Sequence, residues 1–240
     1  ACIFAFEVDV YKEAGAYVEF VGHPLVDIVK PSMTKEEGMA FAGKEEGKKL
    51  ILLMPGSRLM EIEKMLPTLL EAAKIIKKQL PEVSFVMPRA GTIPISLLEE
   101  KIQASGLDVK ITEGNNYDLF SVADLALATS GTVTLEAALC GLGSVIVYKT
   151  NPVTYFIAKL LVNIPHIGLP NIVAAKSVVP ELIQNDFTPT KVAQEALVLL
   201  ESERNAKMKE DLVYVKERLG KPGAVGRVAE LVLKIAREKR

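Results

Sequence analysis

The chain has no tryptophan and only two cysteines and two histidines in 240 residues. Cys2 and Cys140 are far apart, and His23 and His166 each adjoin a proline without sharing a motif with them. That spacing excludes a zinc-type ligand cluster, so no metal is expected. Cys140 falls in a helical stretch of alanines and leucines and reads as a buried, inert thiol. Low cysteine use suits a reducing cytosol, and a cytoplasmic protein is expected. Excess charge is absent too. Lys and Arg number 29 against 30 Asp and Glu, a net charge of −1, and the basic residues are spread along the chain. The footprint of a nucleic-acid-binding protein is therefore missing. Long apolar runs are also lacking: the most apolar helical candidate, Val153–Ile164, is too short to span a bilayer and contains Lys159 and Asn163. No signal-peptide pattern is visible.

What remains is ordinary for a well-cored globular protein, with 49% apolar and 25% charged residues. The length suits one large domain, or one domain with part of another. Strand patterns at Leu50–Met54, Val83–Pro88, Val109–Thr112, Leu125–Ala128 and Ser144–Tyr148 alternate with helical patterns at about Glu61–Gln79, Ile95–Ser105, Asn116–Ala123 and Val133–Cys140. Such alternation predicts an α/β fold, a Rossmann-like parallel sheet with helices on both faces, with ligands at the carboxyl ends of the strands. Ahead of it, Ala1–Gly22 reads as strand, helix and short strand. The strand at Ala1–Phe6 is what a chain beginning inside a domain would show. Val29–Gly47, rich in proline, glycine and charge, reads as a linker. Beyond Gln184 helices are predicted at Thr190–Ser202, Asn205–Leu219 and Ala224–Lys239, with a break at Lys221-Pro222-Gly223.

Three elements could carry chemistry. The first is Ala128-Thr-Ser-Gly-Thr-Val-Thr-Leu-Glu136, where an apolar strand enters a glycine-bearing turn that opens a helix. Unpaired N–H groups and the helix dipole meet there, so Ser130, Gly131 and Thr132 suit a phosphate. Glu136, one turn along, suits a diol, and phosphate with diol indicates a nucleotide; the competing reading is a tightly packed α/β turn. The second is Pro55-Gly-Ser-Arg58, followed by Glu61. A strand–helix turn capped by Ser57 accounts for everything except Arg58, whose donor fork fits a phosphate or carboxylate. It is not a P-loop, because Gly-x4-Gly-Lys-Ser/Thr is absent. The third is Leu169-Pro-Asn171 with Pro180-Glu-Leu-Ile-Gln184. Here Glu181 and Gln184, three apart, would share one helical face as a solvated pair, and Asn171 could be a turn residue.

Together these elements resemble lipid-A-disaccharide synthase, a family of inverting GT-B glycosyltransferases. The matching residues are Phe20-Val-Gly-His-Pro24 with Asp27, Leu53-Met-Pro-Gly-Ser-Arg58 with Glu61 and Glu63, Ser130-Gly-Thr-x-Thr-Leu-Glu136 including Thr134, Leu169-Pro-Asn171, and Pro180-Glu-Leu-Ile-Gln184. The resemblance implies the C-terminal half of a GT-B enzyme. Residues 1–25 would be a remnant of an N-terminal acceptor domain and 26–48 a linker. Residues 49–220 would hold the UDP-sugar, and 221–240 would form a terminal helix packing back on the N-terminal domain. It implies transfer of 2,3-diacylglucosamine from UDP to 2,3-diacylglucosamine 1-phosphate, giving lipid A disaccharide 1-phosphate and UDP. The enzyme would work in the cytoplasm, peripherally on the inner face of the cytoplasmic membrane, with a homodimer as one assembly. Arg58, Gly56 and Ser57 would hold the diphosphate, with Ser130, Gly131 and Thr132 sharing that work. Glu61 and Thr134 would complete the site. Glu136 would take the ribose, while Asn171 and Gln184 would line the donor cleft. No cofactor is implied beyond the donor. The family's Gly-Glu-x-Ser-Gly-Asp loop and its general base are not in this chain. The alternatives are another GT-B enzyme using UDP-N-acetylglucosamine, such as a peptidoglycan transferase or an epimerase, and a UDP-binding module without activity. For Pro152–Pro165, with Tyr155 and Phe156, core packing competes with membrane docking.

Overall fold

The computed structural model describes residues 1–151, 155 and 165–238. Apart from Tyr155, the helix expected over 153–164, with Phe156, lies outside the described residues. The N-terminal segment carries α1 (Glu7–Glu13), α2 (Leu25–Ile28) and α3 (Lys35–Ala42). Then β1 (Leu50–Met54), α4 (Leu59–Gln79), β2 (Ser84–Arg89), α5 (Ile95–Ser105), β3 (Lys110–Glu113) and α6 (Asn116–Val122) alternate. They are followed by β4 (Leu125–Thr129), α7 (Thr132–Leu139), β5 (Ser144–Tyr148), α8 (Leu169–Ala174) and β6 (Glu181–Ile183). The chain closes with α9 (Pro189–Leu200), α10 (Ser202–Arg218) and α11 (Ala224–Glu238).

The six strands form one sheet in the order β3-β2-β1-β4-β5-β6, with every pair parallel. Parallel strands covered on both faces read as unbroken apolar runs, and Leu50–Met54 is buried throughout. Its side chains alternate between two cores. Ile51 and Leu53 meet Ile62, Leu66, Leu69 and Ile76 of α4, spaced for one helical face, together with Val192 and Ala196 of α9. Leu50, Leu52 and Met54 face Leu119 and Phe120 of α6 and Ala137 of α7. Strand order reverses between β1 and β4, and that reversal opens a crevice at their carboxyl ends.

Three expectations need correction. Ala1–Phe6 forms no strand: Cys2 makes a single bridge to Phe20, and a turn follows it. The stretch expected as a linker holds a packed helix. Gly38 of α3 lies against Val122 so closely that a Cβ would stand 3.1 Å from its methyl. The Asp118 carboxylate accepts the amides of Ser32 at 2.6 Å and Met33 at 2.7 Å, and the Ser32 hydroxyl at 3.0 Å. Glu181–Ile183 is a strand pairing with β5, so Glu181 and Gln184 do not share a helical face.

The motif around His23 ties the two ends of the chain together. Asp27 caps α11 by accepting the Gly223 amide at 2.8 Å and the Ala224 amide at 3.2 Å. The Arg227 guanidinium donates to the Val21 carbonyl at 2.8 Å, and the His23 amide donates to the Leu219 carbonyl at 2.8 Å. The last helix thus packs back on residues 21–27.

Two carboxylates held below their usual range predict an acid-sensitive fold. Burial pushes the Asp118 carboxyl up, but the Met33 and Ser32 hydrogen bonds outweigh it and hold it below the usual Asp value. Burial also raises Asp124, and the Lys44 ammonium, the Leu50 amide and Lys49 more than reverse that. A depressed folded pKa contributes stability above the unfolded value of about 3.9, lost as pH falls through the folded value. Unfolding free energy from urea titrations is expected to fall between pH 5 and 2.5, with a shallower fall in Asp118→Asn. An equal fall in that variant would remove Asp118 from the account.

Candidate functional site

The crevice between β1 and β4 is a cleft of about 380 Å³. Its lining comes from four strand or helix ends. The turn after β1 gives Gly56, Ser57, Arg58 and Glu61; the end of β2 gives Pro88, Arg89 and Ala90; α6 gives Asn116; and the β4–α7 turn gives Thr129, Ser130, Gly131, Thr132, Val133 and Glu136.

At the first turn the chain leaves β1 through Gly56, whose φ of +120° is costly for any other residue. The close approach of Glu61 adds a second requirement, since a Cβ on Gly56 would stand 2.6 Å from the Glu61 Cβ. Glu61 folds back over the start of α4. Its Oε2 accepts the Ser57 amide at 2.9 Å and the Arg58 amide at 3.2 Å, and its Oε1 accepts Arg58 Nη1 at 2.7 Å. The amides expected to meet a diphosphate therefore already hold a carboxylate. The loop is pinned from the β2 side by the Thr92 hydroxyl, which donates to the Ser57 carbonyl at 2.7 Å. Arg58 remains 77% exposed, with donors to spare for a ligand. Gly56→Ala is expected to destabilise the protein by about 2 kcal/mol, the sum of an unfavourable φ and the Glu61 contact. Urea denaturation reads it, and a loss under about 0.5 kcal/mol would show that the turn relaxes freely.

At the second turn the Ser130 amide donates to the Val147 carbonyl at 3.2 Å, and the Ser130 hydroxyl donates to the Ile167 carbonyl at 2.9 Å. Thr134 is fully buried, and its hydroxyl donates to the Gly131 carbonyl at 2.8 Å, so it shapes the turn rather than facing a ligand. The amides of Gly131, Thr132 and Val133 find no acceptor among the described residues. With the dipole of α7 behind them they make the open anion-binding corner of the cleft. Thr129 is 3% exposed, and its hydroxyl has no partner among the described residues. Glu136 is half-buried beside the corner, and burial raises its pKa. Cys140, expected to be buried, is only partly so; burial still pushes its thiol up to about 12, away from the thiolate form.

Asn171 and Gln184, expected to line the cleft, are not among its lining residues. Asn171 is fully buried. Its Oδ1 accepts the amides of Val178 at 2.7 Å and Val179 at 3.0 Å, while its Nδ2 donates to the Val179 carbonyl at 2.8 Å and to Glu181 at 2.7 Å. Glu181 in turn accepts the amides of Ile167 at 2.9 Å and Gly168 at 3.0 Å. Asn171 thus acts at one remove, fixing the Ile167 carbonyl that anchors Ser130. Gln184 brackets the Thr150 backbone at 2.8 Å and 3.3 Å, extending the pairing of β5 and β6.

Sequence reasoning missed Arg89 and Asn116. Arg89 is held by Glu113 at 2.6 Å and by the Ile93 carbonyl at 2.6 Å. Only strand order brings the ends of β2 and α6 to this cleft, so no local signal marks Arg89 or Asn116. Thr129 belongs to the phosphate turn that the sequence singles out, and the structure places it in the cleft lining. No group of three or more His, Cys, Asp or Glu side chains is placed to hold a metal among the described residues.

This sheet order, with an open cleft at its reversal point, defines a Rossmann-like α/β domain. Solved structures share the fold. UDP-GlcNAc 2-epimerase from Neisseria meningitidis, bound to UDP-GlcNAc, superposes with a TM-score of 0.65 at 14% identity, over 97% of this chain and 60% of that one. The S. aureus MnaA–UDP structure does so with 0.69 at 14%, over 98% and 60%. The family model for lipid-A-disaccharide synthetase matches residues 1–233, and the chain belongs to that family. The lipid-A-disaccharide synthase of Geobacter sulfurreducens is 43% identical over 236 residues, 98% of this chain and 62% of its own length. The chain thus spans about three fifths of the curated relatives it matches.

Proposed function

We propose that this chain is the UDP-holding half of a lipid A pathway glycosyltransferase. It would bind UDP-2,3-diacylglucosamine, and with an acceptor-binding half it would deliver the sugar to 2,3-diacylglucosamine 1-phosphate. The observation that carries the reading is the open amide corner at Gly131–Val133, facing a cleft shared with Arg58, in a chain of this family. As the bond between sugar and diphosphate breaks, negative charge grows on the departing oxygen. The Arg58 guanidinium and the start of α7 stabilise that charge more than they stabilise the intact donor, and this difference accelerates transfer. Glu136 takes the ribose hydroxyls. Inversion by direct displacement also needs a base for the acceptor hydroxyl. Glu61 is engaged by the first turn, so we assign the base to the acceptor-binding half.

Calorimetry with UDP tests the reading. Arg58→Ala is expected to weaken UDP binding about 10- to 100-fold, the loss of a charge-assisted hydrogen bond of roughly 1.5–3 kcal/mol. An unchanged affinity would take Arg58 out of the site. The chain alone is expected to bind UDP and transfer no sugar, and measurable turnover would refute that assignment. On this reading, acylated substrates would keep the work at the inner face of the cytoplasmic membrane. No helix among the described residues is long and apolar enough to cross one.

A further inference from the structure

Glu61 belongs to the cleft lining, yet its carboxylate points at the cleft's own donors. It sits on the Ser57 and Arg58 amides at the start of α4 and pairs with the Arg58 guanidinium. An anion-binding site built from a helix start and an arginine is thus filled by an anion of the chain itself. Glu61 is only 17% exposed while its Arg58 partner is 77% exposed, so the carboxylate is the fixed member and the guanidinium the adjustable one. Gly56 adds to this, because its missing Cβ leaves the room that the Glu61 side chain fills.

We infer that Glu61 is a resident competitor of the nucleotide's diphosphate: it restrains Arg58 and sets the affinity of the cleft for UDP. The inference rests on the reading that the cleft holds UDP. Two effects follow from one carboxylate. It neutralises part of the guanidinium's charge, and it repels a phosphate entering beside it, in a crevice where charges are screened less than in bulk water. A diphosphate therefore shares the Arg58 guanidinium with Glu61 or competes with it for that group. When the product leaves, Arg58 returns to its internal partner, which favours release of UDP. Such a residue limits how tightly product is held while leaving Arg58 available to the departing oxygen.

The probe is UDP, with uridine as the uncharged comparison, measured by calorimetry on the intact chain. Glu61→Gln keeps an oxygen for the Ser57 and Arg58 amides and removes the charge, so the turn should persist; circular dichroism and melting temperature check it. The variant is expected to bind UDP about five-fold or more tightly, with uridine affinity unchanged and the gain shrinking at high salt. The same change in an Arg58→Ala background should give less than half that gain. Glu63→Gln, two residues on and exposed, controls for overall charge and should leave affinity as it is. Weaker or unchanged UDP binding by a folded Glu61→Gln would overturn the inference, as would an equal gain in Glu63→Gln. Either result leaves the UDP reading standing, provided the unaltered chain binds UDP. Absence of UDP binding by the unaltered chain would remove both.

Discussion

Replacing Asn171 with alanine is expected to lower the unfolding free energy by about 3 kcal/mol or more. The side chain is fully buried and serves two backbone amides, one carbonyl and one carboxylate. Alanine would leave the Val178 and Val179 amides inside the protein without an acceptor, at roughly 1–3 kcal/mol for each unsatisfied group. It would also deprive Glu181 of a donor. These groups act together, so their losses do not simply add. Asn171→Asp is a sharper test: it keeps an acceptor for the amides but brings a second carboxylate to Glu181, and should be at least as damaging. Urea denaturation followed by circular dichroism measures both. A loss below about 1 kcal/mol for alanine would mean that the network holds nothing in place. Because Glu181 fixes Ile167, and Ile167 anchors Ser130, UDP affinity should fall as well.

The opposite pattern is expected at Gly131: function lost, stability kept. Its φ of 169° is ordinary extended backbone, and a Cβ built there meets no atom within 4 Å. The fold has no steric need of glycine at this position. Yet Gly131 lines the cleft beside the open amides, so any side chain would occupy the space a phosphate requires. Gly131→Val is expected to weaken UDP binding at least about 30-fold, equivalent to roughly 2 kcal/mol or more of charge-assisted hydrogen bonding. Its melting temperature should stay within a degree or two. Full affinity in a folded Gly131→Val would place the phosphate elsewhere.

These two residues mark the boundary of what could be read along the chain. Both belong to family motifs, and both were expected in the donor cleft. Motif membership cannot tell a residue that touches the ligand from one that builds the wall behind it. In the structure Asn171 is fully buried and Gln184 bonds the Thr150 backbone, and neither is among the residues lining the cleft. Arg89 and Asn116 carry no local signature, because what makes them cleft residues is the position of β2 beside β1. The turns at Gly56–Arg58 and Ser130–Thr132 were legible because a strand, a glycine and a helix start are contiguous in sequence. The segment 26–48 misled for a related reason. Its prolines and charges resemble a linker, while its packing depends on Asp118, 86 residues beyond Ser32.

The sequence by itself determined the parallel α/β layering, since buried runs such as Leu50–Met54 and the helical stripe from Ile62 to Ile76 follow from local periodicity. It also determined the family, and the helix start that opens an anion corner at Gly131. Only the tertiary structure decided that the corner faces Arg58 across the reversal between β1 and β4. The same holds for Glu61, which already occupies the amides at Gly56–Arg58, and for Asn171, which supports the site without entering it. The physical reason is range. Periodicity and turn chemistry act within a few residues, whereas a cleft is made by strand order, which brings together groups tens of residues apart.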